Sequence, residues 1–188
     1  MILESFPPAL PYDFVFKLAR DRHDLDGYHK LRREIFCEEQ HVFESDDRDL
    51  IDESAMPIVC KSLIAGMEDA VIGVVRIDER SPGLWYGSRL GVASGFRRLR
   101  HISPGVAVRN LQPCYAALGA LGAGLIYKAV STACALGCHE FLATVQQQNA
   151  RFFQRLHWQP LENIMLHGLP HVLMRADLNH YAAAKKVA

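Results

Sequence analysis

Three glycines, Gly119, Gly122 and Gly124, stand in an uncharged run immediately before LIYKAV, a stretch of helical character. A glycine-rich turn that opens a helix leaves backbone N–H groups unpaired and places the positive end of the helix dipole beside them, which suits a phosphate. Small residues here would equally let a helix pack closely on a sheet, so both readings stay open. The glycine spacing fits neither a dinucleotide-binding fingerprint nor a P-loop, and no Gly-Lys-Ser/Thr triplet occurs. Arg97, Arg98, Arg100 and Arg109 add positive charge upstream, whereas Glu44, Asp46, Asp47, Asp49, Asp52 and Glu53 form an acidic run broken only by Arg48. These are either two solvated loops or a phosphate site beside an acidic pocket for a cationic substrate. Glu39 and His41 could take a proton from an amine. The flanking Phe36 and Phe43 form an apolar wall of the kind that raises a carboxyl pKa.

A metal reading starts from Cys134, Cys138 and His139, but no second cluster with ligand spacing completes a set, so no metal is expected. Buried helix cysteines explain them better.

At 188 residues with 49% hydrophobic content, the chain suits one domain spanning 1–188. Twenty-one basic and twenty-one acidic residues cancel, which leaves no overall field to gather nucleic acid or an anionic membrane. Five cysteines without framework spacing, and a start lacking a basic leader, fit a reducing cytoplasm. Residues 110–127 carry no charge, yet Asn110, Gln112, Pro113 and three glycines make them a poor membrane span. The expected partner is a small molecule, and a homodimer is compatible with the chain.

The elements that must position these residues follow from periodicity. Phe14 and Phe16 alternate with Val15 and Lys17 in a first strand over 12–19. Leu25, Tyr28, Leu31, Ile35 and Phe36 recur at helical spacing from Asp24, the expected N-cap, to Glu38. The acidic run is then a loop or a short helix. Strands near 57–65, 70–78 and 84–93, joined by short turns, argue for an antiparallel meander. Residues 94–118 keep no period and read as a long inserted loop. A helix over 121–136 stopped by Gly137, a strand over 139–146, a short helix from Asn149, two last strands and a frayed tail over 179–188 complete the order.

That order, with SRLGVASGFRR, then GAGLIYKAVSTACALG, then FLATVQQQNARFFQRLHW, resembles the GNAT N-acetyltransferase superfamily over nearly the whole chain. The resemblance implies an α/β (α+β) fold: a mixed, mostly antiparallel sheet of six to seven strands flanked by helices, with the fourth and fifth strands splayed. It further implies that acetyl-CoA, as co-substrate, lies in the splay. Its pyrophosphate would meet Gly119, Gly122, Ala123 and Gly124 with Arg97 and Arg98, its thioester the strand at Leu90, Gly91 and Val92, and its pantetheine Asn149 and Phe153. Arg32, Phe36, Asp49, Asp52, GVVRI and SRLGV resemble the acyl-homoserine-lactone synthases, which share the fold. The text is most similar to GNAT proteins encoded beside a nitrilase in bacterial nitrogen-starvation gene clusters.

Two departures qualify the likeness. Aligning Leu125 on the family's leucine puts Ala117, Ala120 and Gly122 on its Arg-x-x-Gly-x-Gly, so one of three positions is kept. The family's acidic tyrosine on the helix after the fifth strand is replaced by Phe152 and Phe153. Tyr86 and Tyr115 are the substitutes, or are ordinary packing residues. The expected mechanism is direct attack by an amine on the thioester, with Glu39 as base, His41 as its alternative, and Arg32, Phe36, Asp49 and Asp52 holding the acceptor. A signal-synthase reaction would require an apolar acyl tunnel, of which Trp85 and the crowded apolar strands give no sign. A third reading is a non-catalytic module that retains CoA binding.

Overall fold

The computed structural model describes residues 13–98 and 121–184. Seven strands form one sheet in the order β1-β2-β3-β4-β5-β7-β6. They are β1 (Asp13–Leu18), β2 (Met56–Ile64), β3 (Met67–Ser81), β4 (Leu84–Val92), β5 (Glu140–Gln146), β6 (Trp158–Leu166) and β7 (Leu169–Ala176). The expected meander is present: β1 to β4 pair antiparallel in chain order. Only β4 and β5 run parallel, as their connection through helix α2 (Leu121–Ala135) requires.

Strand parity sorts the apolar side chains onto two faces. Phe14, Phe16, Val75, Ile77, Trp85, Phe141 and Val172 join Leu125 and Val130 of α2 in the larger core. Tyr28, Leu31 and Ile35, from helix α1 (Arg22–Arg33) and the turn after it, pack with Val59 and Val74 on the opposite face.

The N-cap of α1 is Asp21, whose side chain accepts from the Asp24 amide at 2.8 Å, and not Asp24 as the periodicity suggested. Asp24 instead turns inward, with the Lys17 and Lys61 ammonium groups at 2.8 and 3.0 Å. Burial without those partners would be costly, and β1 and β2 supply them.

Past Arg33 the helix widens into a π-helical segment, Glu34–Glu39, in which the Gln40 N–H donates to the Ile35 carbonyl at 2.9 Å. The wider turn changes the direction in which the last residues project, and Glu39 and Gln40 come to face the end of β4. The acidic run folds into a 3₁₀ turn, Leu50–Glu53. The Asp49 carboxylate accepts from the Ile51 amide and that of Asp52 from the Asp49 amide, each at 3.0 Å.

At the other end, α3 (Ala150–Gln154) leads into the β6–β7 hairpin. The expected frayed tail is in part ordered: Tyr181 is buried, accepts from Trp158 Nε1 at 2.9 Å and donates to the Leu156 carbonyl at 2.5 Å. No helix among the described residues is long and apolar enough to cross a membrane.

Candidate functional site

β4 and β5 are paired only from Leu84–Glu140 to Gly87–Ala143. Beyond that last pair β5 continues against β7, and β4 continues against β3. The two strands therefore part, and the edge of β4 from Ser88 to Val92 loses its neighbour. A bulge sharpens the divergence. Arg89 has φ 54°, and the register with β3 shifts between Val74 and Arg76. The bulge lets Ser88 and Arg89 both point to the α1 face, while Leu90 and Val92 turn back to the α2 face.

Two adjoining cavities occupy the gap. The outer one, about 580 Å3, lies between the end of the π-helical turn, the end of β4 and the start of α2. The inner one, about 480 Å3, passes between the strands and reaches both faces of the sheet. Gln40, Val42, Leu90, Gln146, Asn149 and Phe153 line both cavities. At this junction Gln146 Nε2 donates to Gln40 Oε1 at 3.1 Å, so the pair bridges the gap.

On the α1 face, Arg76, Arg89 and Asp49 line the inner cavity, and Arg32, Asp47 and Asp52 behind them complete a network of three arginines and three aspartates. Arg32, fully buried, donates to Asp47 at 2.8 Å and to Asp52 at 2.5 and 3.0 Å. Arg76, also buried, donates through two nitrogens to Asp49 at 2.6 and 3.1 Å and through Nε to Ser88 Oγ at 2.9 Å. Arg89 reaches Asp47 at 3.0 Å and Asp49 at 3.1 Å, and lies 4.6 Å over the Phe43 ring. Burial alone would raise the Asp52 carboxyl, but hydrogen bonds from Arg32 and the Asp49 amide overcome it and hold the group below its usual range. Burial likewise favours a rise at Asp49, and the hydrogen bonds from Arg76 reverse it.

This arrangement corrects the expectation that Asp49 and Asp52 stand ready to attract a cationic acceptor. Their charges are already matched, and the network fixes the acidic loop to β3 and β4 instead. Arg32 belongs to that scaffold. Phe36 does line the inner cavity.

Glu39 also differs from expectation. Its carboxylate is held by the Arg97 guanidinium through two contacts, one of them 2.7 Å from Nη2, while Arg97 Nε donates to the Val92 carbonyl at 2.7 Å. The hydrogen bond from Arg97 pushes the Glu39 carboxyl down, the wrong direction for a base at neutral pH. His41 adopts φ 51°, is exposed and is absent from the lining of both cavities. Tyr86 lines the inner cavity with Arg80 stacked 3.7 Å from its ring centre.

Of the glycine turn, Gly119 lies outside the described residues, as do Arg100, Arg109 and Tyr115. Gly122 lines the outer cavity beside Leu121. Gly124 faces the sheet, where a Cβ would come within 2.5 Å of the Phe16 ring, so its missing side chain serves packing. Ala123 is buried and lines neither cavity. Gly91 lines the outer cavity and also admits Ile35, which a Cβ would approach to 2.7 Å. Val92 and Arg97 border the same space, whereas Arg98 is exposed and does not. Asn149 caps no amide of α3 with its side chain, and Phe153 packs edge-on against Trp158 at 5.1 Å.

Sequence reasoning missed His171. It pairs with Gln146 across β5 and β7, is buried and lines the inner cavity. Its Nδ1 lies 2.9 Å from the Leu169 carbonyl, which can only accept, so the proton sits on Nδ1 and Nε2 is left to act as acceptor. Parity alone assigns it to the face opposite Val172 and Met174, but its strand partner is not written in the sequence.

No family model matches the sequence, and no curated protein does. Among solved structures the chain is similar to a protein assigned as an N-acetyltransferase from Lactobacillus plantarum, at 14% identity and TM-score 0.67 over 87% of this chain and 97% of that one. It is similar to an acyl-CoA N-acyltransferase from Pseudomonas aeruginosa, at 18% identity and TM-score 0.60 over 87% and 98%. It is also similar to BjaI, a CoA-dependent acyl-homoserine lactone synthase solved with SAM and isopentyl-CoA, at 17% identity and TM-score 0.59 over 87% and 82%. At these identities the likeness establishes the architecture: the mostly antiparallel seven-stranded sheet with its single parallel β4–β5 pair is the fold of the GNAT acyltransferases.

Proposed function

We propose that the protein is an acyl-CoA-dependent N-acyltransferase that accepts acetyl-CoA and acylates the amine of a small metabolite. The observation that carries this reading is the parted β4–β5 gap, with an outer cavity beside the start of α2 and an inner one that reaches both faces of the sheet. CoA would lie in the outer cavity, its phosphates toward Leu121 and Gly122 and its pantetheine along the freed edge of β4. The similarity to a P. aeruginosa acyl-CoA N-acyltransferase and to a CoA-dependent synthase supports the same donor class. The text likeness to GNAT proteins of nitrilase-linked clusters agrees with a nitrogen-bearing acceptor in a bacterial cytoplasm.

The amine nitrogen attacks the thioester carbon, a C–N bond forms as the C–S bond breaks, and the amine proton passes to His171 Nε2, directly or through water. Peptide N–H groups on the freed edge of β4 receive the developing oxyanion. A CoA thiol with an ordinary pKa of about 8.5 leaves as thiolate without a dedicated acid. That chemistry tolerates Phe152 and Phe153 where the family has a tyrosine.

Calorimetry with CoA and acetyl-CoA, followed by thiol release across a panel of small amines, tests the reading. Saturable binding with amine-dependent release is expected. No binding at millimolar CoA removes the proposal, and tight binding without release to any amine makes the chain a non-catalytic CoA-binding module.

A further inference from the structure

On the α1 face the inner cavity extends below the fork, to the level where β4 and β5 are still paired. Arg76, Asp78 and Arg80 alternate along β3, with Ser88 and Tyr86 opposite the first two on β4, so these side chains share that face. Arg76, Arg80 and Arg89 all line the cavity, but they are not equally engaged. Arg76 commits each of its nitrogens to Asp49 or Ser88, and Arg89 commits Nε and Nη2 to the acidic loop. Arg80 gives Nε to Asp78 at 3.1 Å, and among the described residues its Nη1 and Nη2 have no hydrogen-bond partner. The guanidinium is nonetheless fixed: its carbon lies 3.7 Å from the centre of the Tyr86 ring, and the carboxylate that holds Nε is buried. Two parallel N–H groups on a fixed guanidinium edge match the two oxygens of a carboxylate. Arg80 is half exposed, so a ligand in the cavity can reach that edge.

The separation between this edge and His171 sets the length of the ligand. Tyr86 pairs with Leu142 of β5, and His171 with Gln146 of the same strand. At a strand's rise of about 3.3 Å per residue, the step from Leu142 to Gln146 puts the two levels about 13 Å apart. Both side chains reach into the cavity and shorten that span, yet an α-amino acid, whose nitrogen and carboxylate share one carbon, is too short for it. With Asp49 and Asp52 matched by arginines, neither is left to hold a second ammonium, which argues against a diamine. Resting on the acyltransferase reading above, with His171 as proton acceptor, we infer that the acceptor is an elongated amine with a carboxylate at its far end, which Arg80 binds through Nη1 and Nη2. The amine then faces His171 and the freed edge of β4, and the chain between lies past Ser88 and Thr144. Asp78 and Tyr86 act through Arg80, as positioning residues.

Acceptors that differ only in that carboxylate test the assignment: ω-aminocaprylate against n-heptylamine, γ-aminobutyrate against n-propylamine, and glycine against methylamine. The carboxylate should lower KM about tenfold in the longest pair, as a charge-assisted bond at a half-exposed site allows, and should do nothing in the shortest. Arg80→Gln should erase that advantage by raising KM while kcat is kept, and Arg80→Lys should restore only part of it, since an ammonium lacks the planar edge. Calorimetry with the product N-acetyl-ω-aminocaprylate and with its primary amide reads the same preference without turnover, and the wild-type comparison stands without any variant. Equal KM values within the longest pair, equal or no affinity for product and amide, or a preference that survives Arg80→Gln overturns the subsite and leaves the acyltransferase reading standing. A carboxylate preference in the product titration with no acyl transfer to any amine keeps the subsite and removes the acyltransferase reading.

Discussion

The two walls of the inner cavity are built from opposite chemistry. On the α1 side, Arg76, Arg89 and Asp49 line it and belong to a network of three arginines and three aspartates in which each charge is answered by another. On the α2 side, the wall is Ile126, Ala129, Val130, Phe141, Phe153 and Trp158, apolar side chains packed into the larger core. A network whose charges are already satisfied has no free charge with which to recognise a ligand, so it fixes geometry. A wall of packed apolar side chains likewise fixes shape, by burial and close contact where the other does so by charge.

The strongest way to break this contrast is to remove a charge from the matched wall. Arg32→Met strips Asp47 and Asp52 of one arginine partner each, leaving Arg89 and Arg76 as the others, and breaking a buried pair costs about 3–5 kcal/mol. Denaturant unfolding should register that loss, and acyl transfer should fall with it. Arg32→Lys should rescue little, since an ammonium cannot reproduce the forked contact with Asp52.

Acid probes the same wall without mutation. Asp52 and Asp49 are held below their ordinary range in the folded state, so unfolded chains bind protons more readily than folded ones as pH falls. Their contribution is fully present above the unfolded carboxyl pKa of about 3.9 and is lost on acidification below it. Thermal midpoints in wild type should decline through that range, and Asp52→Asn should flatten part of the decline.

His171 sharpens the contrast at the point where the walls meet. His171→Gln preserves a donor for the Leu169 carbonyl but removes the acceptor nitrogen. The turnover number should drop by about 10²–10⁴, the range typical of a lost general base, with little change in CoA affinity.

The smallest effect is expected at the outer cavity, where Glu39 and Arg97 are both partly exposed and salt-screened. Glu39→Gln frees the Arg97 guanidinium for phosphate. CoA affinity should rise severalfold in dilute buffer, and the gain should shrink at high salt. Unchanged affinity at every ionic strength would show that Arg97 stays outside the phosphate contacts.

Much of the fold was legible in the chain. Alternation in DFVFKL, the apolar runs of the meander and the alanine-rich helix before Gly137 each carry their own period, and these elements lie within a residue or two of where periodicity puts them, except β3, which extends three residues further at each end. Less of the site could be read. Arg32, Asp49 and Asp52 were expected to hold the acceptor, but whether a carboxylate such as Asp49 is free or matched depends on Arg76 and Arg89, which reach it from β3 and β4, 27 and 40 residues further along the chain. The tight glycine spacing signalled close approach without saying to what: for Gly124 it is the Phe16 ring, more than a hundred residues away in sequence.

The sequence by itself determined the order and type of most elements, because these rest on local period and short turns, while the splay of β4 from β5 was an implication of the family resemblance. Only tertiary structure decided that Glu39 and Arg97 pair, that Asp49 and Asp52 serve as braces, that His171 faces the gap, and that two cavities adjoin where β4 and β5 part. Charge matching and empty volume are properties of what lies across from a residue, and nothing in a residue's own neighbourhood along the chain encodes its opposite wall.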